Sequence, residues 1–312
     1  MTVSVTPASS GSMPASRRRR SRSFTGTAAA ALALALLAAP AWAANAGEQP
    51  AADAAAPARP GELRICASNV EAPFSEKGDT GFEDRIAQVL AEAMGRKAVF
   101  VRSDRPGVYM VRDMLDANSC DVVMGVDAGD ERVATSKPYY RTGYVLVTRT
   151  DRNITANRWD DPKVKEQTRF ALRFYSPAEA MVKRLGRYED NAAYMYSLVN
   201  FVSRRNQWVQ VPGDRLVSEV AKGDADVAIA FAPEVARYVK TSTVPLTITV
   251  MADDFSATEG GPKIPLHYDQ SIGVRKDDTA LLGEINAALE KARPQIDKIL
   301  SDEGIPVLKP NS

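Results

Sequence analysis

Residues 63–102, LRICASNVEAPFSEKGDTGFEDRIAQVLAEAMGRKAVFVR, decide the fold class. Residues 63–67 (LRICA) are a short apolar run of strand character, and the loop after them carries Pro73 and Gly78. In residues 81–94 the side chains Phe82, Ile86, Val89, Leu90, Ala93 and Met94 recur at helical spacing. The acids Glu83 and Asp84 fall in the first turn, and Gly95 follows as a stop. Residues 97–102 (KAVFVR) read as a second strand. Strand, helix and strand in that order predict a right-handed βαβ unit and a parallel sheet.

The alternation continues outward. A second helix is expected at 108–117, a buried strand at 121–126 (DVVMGV) and another strand at 143–148 (GYVLVT). Near residue 150 the plan restarts. Strands are expected at 169–174, 226–231 (DVAIAF) and 270–274 (QSIGV), and helices at 178–185, 215–222, 233–239 and 280–300. This predicts an α/β protein of two lobes, residues 62–147 plus 268–312 and residues 148–267. Open α/β sheets bind ligands beyond the carboxyl ends of their strands, so facing lobes imply a cleft and a closing hinge.

The N-terminus reads as an address. Arg17, Arg18, Arg19, Arg20 and Arg22 precede an apolar run of 13 residues, 27–39, which Pro40 ends. That run is shorter than the roughly 20 residues a spanning helix needs and suits a signal peptide. Ala41-Trp42-Ala43 supplies small residues at the cleavage site, so residues 1–43 are expected to be removed and the protein to be periplasmic. Residues 44–61 are rich in Ala and Pro and are expected to form a linker. Beyond the cleaved signal, no membrane segment is expected.

Composition narrows the function. The 312 residues are 45% hydrophobic and 25% charged, which are globular values. The net charge of +1 hides a mature chain with 35 basic and 39 acidic residues, so no nucleic-acid partner is expected. A single histidine, His267, excludes sites that need two imidazoles, and no metal ligand set or cofactor is expected. The phosphate-cradling glycine fingerprints and the serine nucleophile elbow are absent. His267 lies in a Pro- and Gly-rich stretch and is expected in a loop or at the surface. No catalytic residue is assigned, and the protein is not expected to be an enzyme.

Three segments in order resemble a type II periplasmic solute-binding protein of the polar amino-acid kind, bacterial extracellular solute-binding family 3. They are LRICAS with PFSEKGDTGFEDRIAQVLAEAMG, then CDVVMGVDAGDERVATSKPYYRTGYVLVTR, then DQSIGVRKDDTALLGEINAALEKARPQIDKIL. Further runs, YEDNAAYMYSLVNFVSRRNQWV and ADVAIAFAPEVARYVK, resemble the J proteins of methanol oxidation operons, the MxaJ/XoxJ family. That resemblance implies a monomeric accessory protein of a periplasmic PQQ-dependent methanol dehydrogenase. Its implied partners are the large subunit of the dehydrogenase and, as a second candidate, its cytochrome. The alternative is a receptor that delivers a small solute to an ABC importer.

The expected cleft residues are Ser68, Asn69, Asp127, Arg132 and Tyr140 on the first lobe and Tyr175, Ser176 and Phe231 on the second. Arg132 falls where amino-acid receptors place the arginine that holds the ligand carboxylate, or it pairs with Asp130 or Glu131. Tyr140 and Phe231 either face the cleft or pack in the hinge or core. The second-lobe strand ends Ala230-Phe231-Ala232-Pro233 with no acid for a ligand ammonium, and Phe174-Tyr175 replaces an anion loop. Both departures predict a more apolar, aromatic cleft suited to an apolar ligand or a protein segment. In residues 188–208, Tyr194, Leu198 and Phe201 are expected to pack inward, and Arg204, Arg205 and Trp208 to form a partner surface. Cys66 and Cys120 fall on neighbouring strands but are offset by roughly 10 Å at the usual strand rise. They form a disulfide if the chain bends before Asp121, and are otherwise two buried thiols.

Overall fold

In the computed structural model the described residues are 60–199, 210–253 and 263–309. The expected signal peptide, nearly all of the linker, Phe201 and the surface of Arg204, Arg205 and Trp208 lie outside them.

β1 (Glu62–Ser68) centres the first lobe. It pairs in parallel with β4 (Lys97–Ser103) along its whole length and with β5 (Val122–Asp127) at Ile65 and Cys66. The helix between β1 and β4 is α1 (Phe82–Ala93), which buries Phe82, Ile86, Ala87, Leu90 and Ala91. Two short strands, β2 (Val70–Glu71) and β3 (Ser75–Glu76), form a hairpin ahead of it. α7 (Thr279–Glu303) lays Leu281, Ile285, Leu289, Ile296 and Leu300 against the same core. Burial of these aliphatic and aromatic side chains is the main stabilising term, at about 25 cal/mol per Å² of apolar surface.

The strand that joins the lobes is β7 (Tyr140–Arg149). Its first half, Tyr140 to Gly143, pairs antiparallel with β11 (His267–Val274), which itself pairs with β5. Its second half, Tyr144 to Val147, pairs antiparallel with β9 (Val227–Phe231), and β10 (Leu246–Val250) lies on its other side. β8 (Phe170–Leu172) pairs in parallel with β9. The strand therefore changes partner between Gly143 and Tyr144, before the boundary expected at 147/148. The expected strand began only at 143 because alternation inside β7 cannot reveal which residues β11 will cover. A further short strand, β6 (Ala134–Thr135), pairs with β11.

Around the second sheet lie α2 (Pro162–Lys165), α3 (Pro177–Arg184), α4 (Tyr188–Ser197), α5 (Gly213–Lys222) and α6 (Ala232–Lys240). Leu198 is buried and Tyr194 packs beside it, with its hydroxyl donating to Glu219 at 3.0 Å. Among the described members of the expected inward stripe, both therefore face the core. β10 was missed: LTITV is an alternating strand pattern, but Pro245 and the polar flanks concealed it.

In the first lobe one expectation changes and one open alternative is resolved. The helix expected at 108–117 is a 3-10 turn, Gly107–Tyr109, followed by one π-type turn, Val111–Leu115. The Asp116 N–H donates to the Val111 carbonyl at 2.9 Å, the wide i to i−5 spacing. This turn packs Met110, Val111, Met114 and Leu115 over Cys66 and Cys120, which form a disulfide with Cα atoms 5.4 Å apart. The bend that closes the strand offset is held by Asp121, whose N–H donates to the Arg64 carbonyl at 2.8 Å. The Asp121 carboxylate also accepts from the Arg64 backbone N–H at 2.9 Å and from its guanidinium at 2.6 Å.

Candidate functional site

The carboxyl ends of β1 and β5 open on a cavity of about 280 Å³ whose far wall comes from the second lobe, through Arg173 and Glu234. An adjoining cavity of about 330 Å³ shares Phe74, Gly125, Asp127 and Glu234 with it and is otherwise walled by Tyr144, Pro177, Phe231, Tyr268 and Gln270. Together they form one groove between the lobes.

The first-lobe wall is rich in carboxyls. α1 carries Glu83 in its first turn, buried and pointing toward Gly125. Gly125 has φ +65°, a conformation that favours glycine, and a Cβ there would stand 2.5 Å from Glu83 Oε1 and push that carboxyl aside. The Gly125 N–H donates to the Tyr139 hydroxyl at 3.1 Å, which donates in turn to Glu83 Oε1 at 2.8 Å. Burial pushes the Glu83 pKa up to about 8 against the opposing effect of that hydrogen bond. Asp84 beside it is ion-paired with Arg102 at 3.0 Å and accepts a hydrogen bond from the Ser75 hydroxyl at 2.7 Å. Glu71 accepts the Gly107 N–H at 3.1 Å, and Asp127 accepts Gln270 Nε2 at 2.6 Å. Desolvation raises the Asp127 carboxyl above its ordinary pKa.

Arginine is present but occupied. The Arg132 guanidinium grips both oxygens of Asp130, at 3.1 and 2.6 Å, and this hydrogen bonding lowers the Asp130 pKa. Across the groove Arg173 pairs with Glu234 at 2.9 Å and donates to the Val211 carbonyl at 3.0 Å. Burial raises the Glu234 pKa, with Arg173 opposing. Behind them Tyr144, Phe231 and Tyr268 form a triangle of rings with centroids 5.8, 5.8 and 6.2 Å apart.

Of the expected cleft residues, Ser68, Asp127, Arg132 and Phe231 line the groove. Ser68 is held there by donating to the Arg105 carbonyl at 2.9 Å and accepting from the Val70 N–H at 3.0 Å. The other four are placed elsewhere. Asn69 turns to Asp104, with Nδ2 donating at 2.8 Å, because β1 has ended and its side chain follows the opposite face. Tyr140 packs in the first-lobe core between Phe82 and Tyr139, with ring centroids 6.3 and 4.9 Å away, and its hydroxyl has no hydrogen-bond partner. Tyr175 is 83% exposed in the left-handed region at φ +58°, outside the residues that line the groove. Ser176 caps α3, its hydroxyl accepting from the Glu179 N–H at 3.3 Å. His267 opens β11 rather than lying in a loop, and its Nε2–H donates to the Met251 carbonyl at 2.7 Å.

Sequence reasoning missed Glu71, Glu83, Arg173 and Glu234. It correctly found no acid at the end of β9, but Glu234 reaches the groove from the first turn of α6. The groove is accordingly not the apolar surface expected; its aromatic half borders a charged one. The usable signal was the acid at the third position of a helix that starts directly from a strand, where helix geometry returns the side chain over the strand end.

A model of the bacterial extracellular solute-binding proteins, family 3, matches residues 63–301. The chain is 52% identical over 272 residues to Protein MoxJ of Methylorubrum extorquens AM1, covering 87% of this chain and 90% of the relative. It is 48% identical over 246 residues to Protein MoxJ of Paracoccus denitrificans, covering 79% of this chain and 89% of the relative. The crystal structure of MxaJ from Methlophaga aminisulfidivorans MPT superposes with a TM-score of 0.75 at 46% identity, over 79% of this chain and 100% of that one. With its two-lobe α/β architecture and cleft, the chain belongs to the family 3 extracellular solute-binding proteins and, within them, to the MxaJ/XoxJ family of J proteins.

Proposed function

We propose that this protein is a periplasmic accessory factor that binds a PQQ-dependent methanol dehydrogenase and helps to assemble or activate it. One observation in the groove carries the reading away from amino-acid transport. The two guanidiniums that line it are already held by carboxylates, Arg132 by Asp130 and Arg173 by Glu234, so the fork that would grip an amino-acid carboxylate is filled. Kinship with the J proteins supports the choice of partner. The same kinship and the family 3 fold support a binding role.

The test is affinity capture of the dehydrogenase large subunit from native periplasm by the tagged mature protein, with calorimetry against the common amino acids in parallel. Capture of the dehydrogenase without amino-acid binding is expected. Tight binding of a free amino acid with no dehydrogenase captured would instead favour an importer receptor, the reading that the family 3 fold alone suggests. N-terminal sequencing of the exported protein is expected to begin at Ala44, and an intact Met1 would overturn the export step.

A further inference from the structure

The helix α6 has a different neighbour at each end. Its first turn carries Glu234 and follows directly from Phe231, so that end forms part of the second-lobe wall of the groove. Farther along, Ala236, Arg237 and Lys240 share one face of the helix, and that face meets the first lobe. Ala236 is buried in the same apolar cluster as Leu300 and Ile305.

Arg237 centres the contact. Its Nε and Nη2 donate to the two carboxylate oxygens of Glu303, at the end of α7, at 2.6 and 3.1 Å. Its Nη1 donates to Glu76 Oε1, at the end of β3, at 2.9 Å. Arg85 of α1 reaches the same buried Glu303 carboxylate, which is therefore shared by one arginine from each lobe. A planar fork of donors can hold two carboxylates at once, which a lysine ammonium does less well. Lys240 adds a second tie. Its Nζ donates to the Ser301 and Asp302 carbonyls at 3.2 and 2.8 Å, where the end of α7 attracts a cation. Its stem lies against Gly304, where a Cβ would stand 3.3 Å from Lys240 Cδ.

A helix of nine residues is a stiff rod about 13 Å long. A groove wall at one end cannot recede from the first lobe while the rest of the rod stays bonded to that lobe. Rotation of the lobes about β7 has to break the Arg237 fork and the Lys240 tie, and leaves buried Glu303 with Arg85 alone. We propose that α6 is a clasp between the lobes, centred on Arg237, which fixes the separation of the groove walls. The groove is then a preformed surface, and filling it does not draw the lobes together. The proposal concerns movement and not the identity of the partner, so it can fail without the accessory role and the accessory role without it.

The experiment is pulsed dipolar EPR on the mature protein, with spin labels at Glu92→Cys in α1 and Lys222→Cys in α5, exposed positions on different lobes. The native cysteines are joined to each other and take no label. The labelled parent is expected to give one narrow distance distribution. Adding Arg237→Ala with Lys240→Ala is expected to roughly double its width or to add a second distance. Arg237→Lys, which keeps the charge but not the fork, is expected to fall between the two. A parent distribution already as broad as that of the alanine variant, or an alanine variant identical to the parent, would overturn the clasp. A label pair within the first lobe, Glu92→Cys with Asp116→Cys, is expected to be unaffected. Equal broadening there would mean that Arg237 and Lys240 hold the first lobe together, and would also overturn it. Glu76→Gln removes one link only and keeps the test open should the alanine variant not fold. It is expected to broaden the interlobe distribution by a smaller margin, and no broadening would count against the clasp.

Discussion

The two walls of the groove solve the same problem in opposite ways. The first-lobe wall keeps Glu83 as a buried carboxyl with a neutral partner, while the second-lobe wall neutralises Glu234 with Arg173. The first wall is braced covalently, by the disulfide behind Cys66, and the second by three rings in mutual contact. The contrast teaches that a buried carboxyl is accommodated in one of two ways, by an arginine partner or by keeping its proton beside a neutral donor.

The largest expected effect tests the brace. Cys66 and Cys120 are 54 residues apart, and in the chain-entropy account a link over that span contributes about 4 kcal/mol. Cys66→Ala with Cys120→Ala should therefore lower the urea midpoint sharply, and thiol titration of the unfolded, unreduced wild type should find no free thiol. Two titratable thiols would end the comparison on this side.

Next comes the neutralised pair. Arg173→Ala leaves Glu234 enclosed without its cation, and the expected loss is about 3 kcal/mol by chemical denaturation. Arg173→Met with Glu234→Leu should recover most of it. If the single and double changes are equally harmful, the pair is not what holds the second wall.

Phe231→Ala should cost about 2 kcal/mol, because the ring is half-buried and contacts Tyr144 and Tyr268. A loss below a few tenths would show that the aromatic wall is not a packed unit.

Glu83 gives a pH signature. Its pKa stands near 4.5 in the unfolded chain and about 8 in the fold. Between those values the native protein keeps a proton that the unfolded chain has lost, so this group's contribution to stability falls as pH rises. The slope approaches about 1.4 kcal/mol per pH unit, and the contribution is fully present only below the lower value. Glu83→Gln, which preserves an acceptor for the Tyr139 hydroxyl, should flatten the profile between pH 5 and 8. An unchanged slope would mean that Glu83 is ionised in the fold.

The smallest effect sharpens the boundary of the site. The Tyr140 hydroxyl is buried without a partner, so Tyr140→Phe should be neutral or stabilising by up to about 1 kcal/mol and should leave partner capture unchanged. Weaker capture would return Tyr140 to the groove.

Local pattern carried the fold a long way. The helical spacing from Phe82 to Met94, the apolar run DVVMGV and the stop at Gly223 each specify one element through short-range geometry, and their order specifies parallel pairing. Ser68, Asp127 and Phe231 line the groove because they end strands, the positions from which the expectation was drawn. Asn69 follows the groove residue Ser68 in the chain, but strand alternation turns adjacent side chains to opposite faces. Tyr140 opens β7 and packs in the first-lobe core, which no local pattern announces.

What the amino-acid order determined by itself was most of the elements, their parallel sense in the first lobe and the end of the sheet where a site would form, since each depends on neighbours within a few residues. Only the tertiary structure decided that β7 would change sheets between Gly143 and Tyr144, and that a bend at Asp121 would bring Cys120 to Cys66. It also decided that Arg173 would be held by Glu234, and which of its open alternatives Arg132 would take, the pair with Asp130. Pairing of charges depends on distances of a few ångströms between segments as far apart as 61 residues, as for Arg173 and Glu234. No local pattern encodes such a distance, because it is set by how the whole sheet and its helices pack.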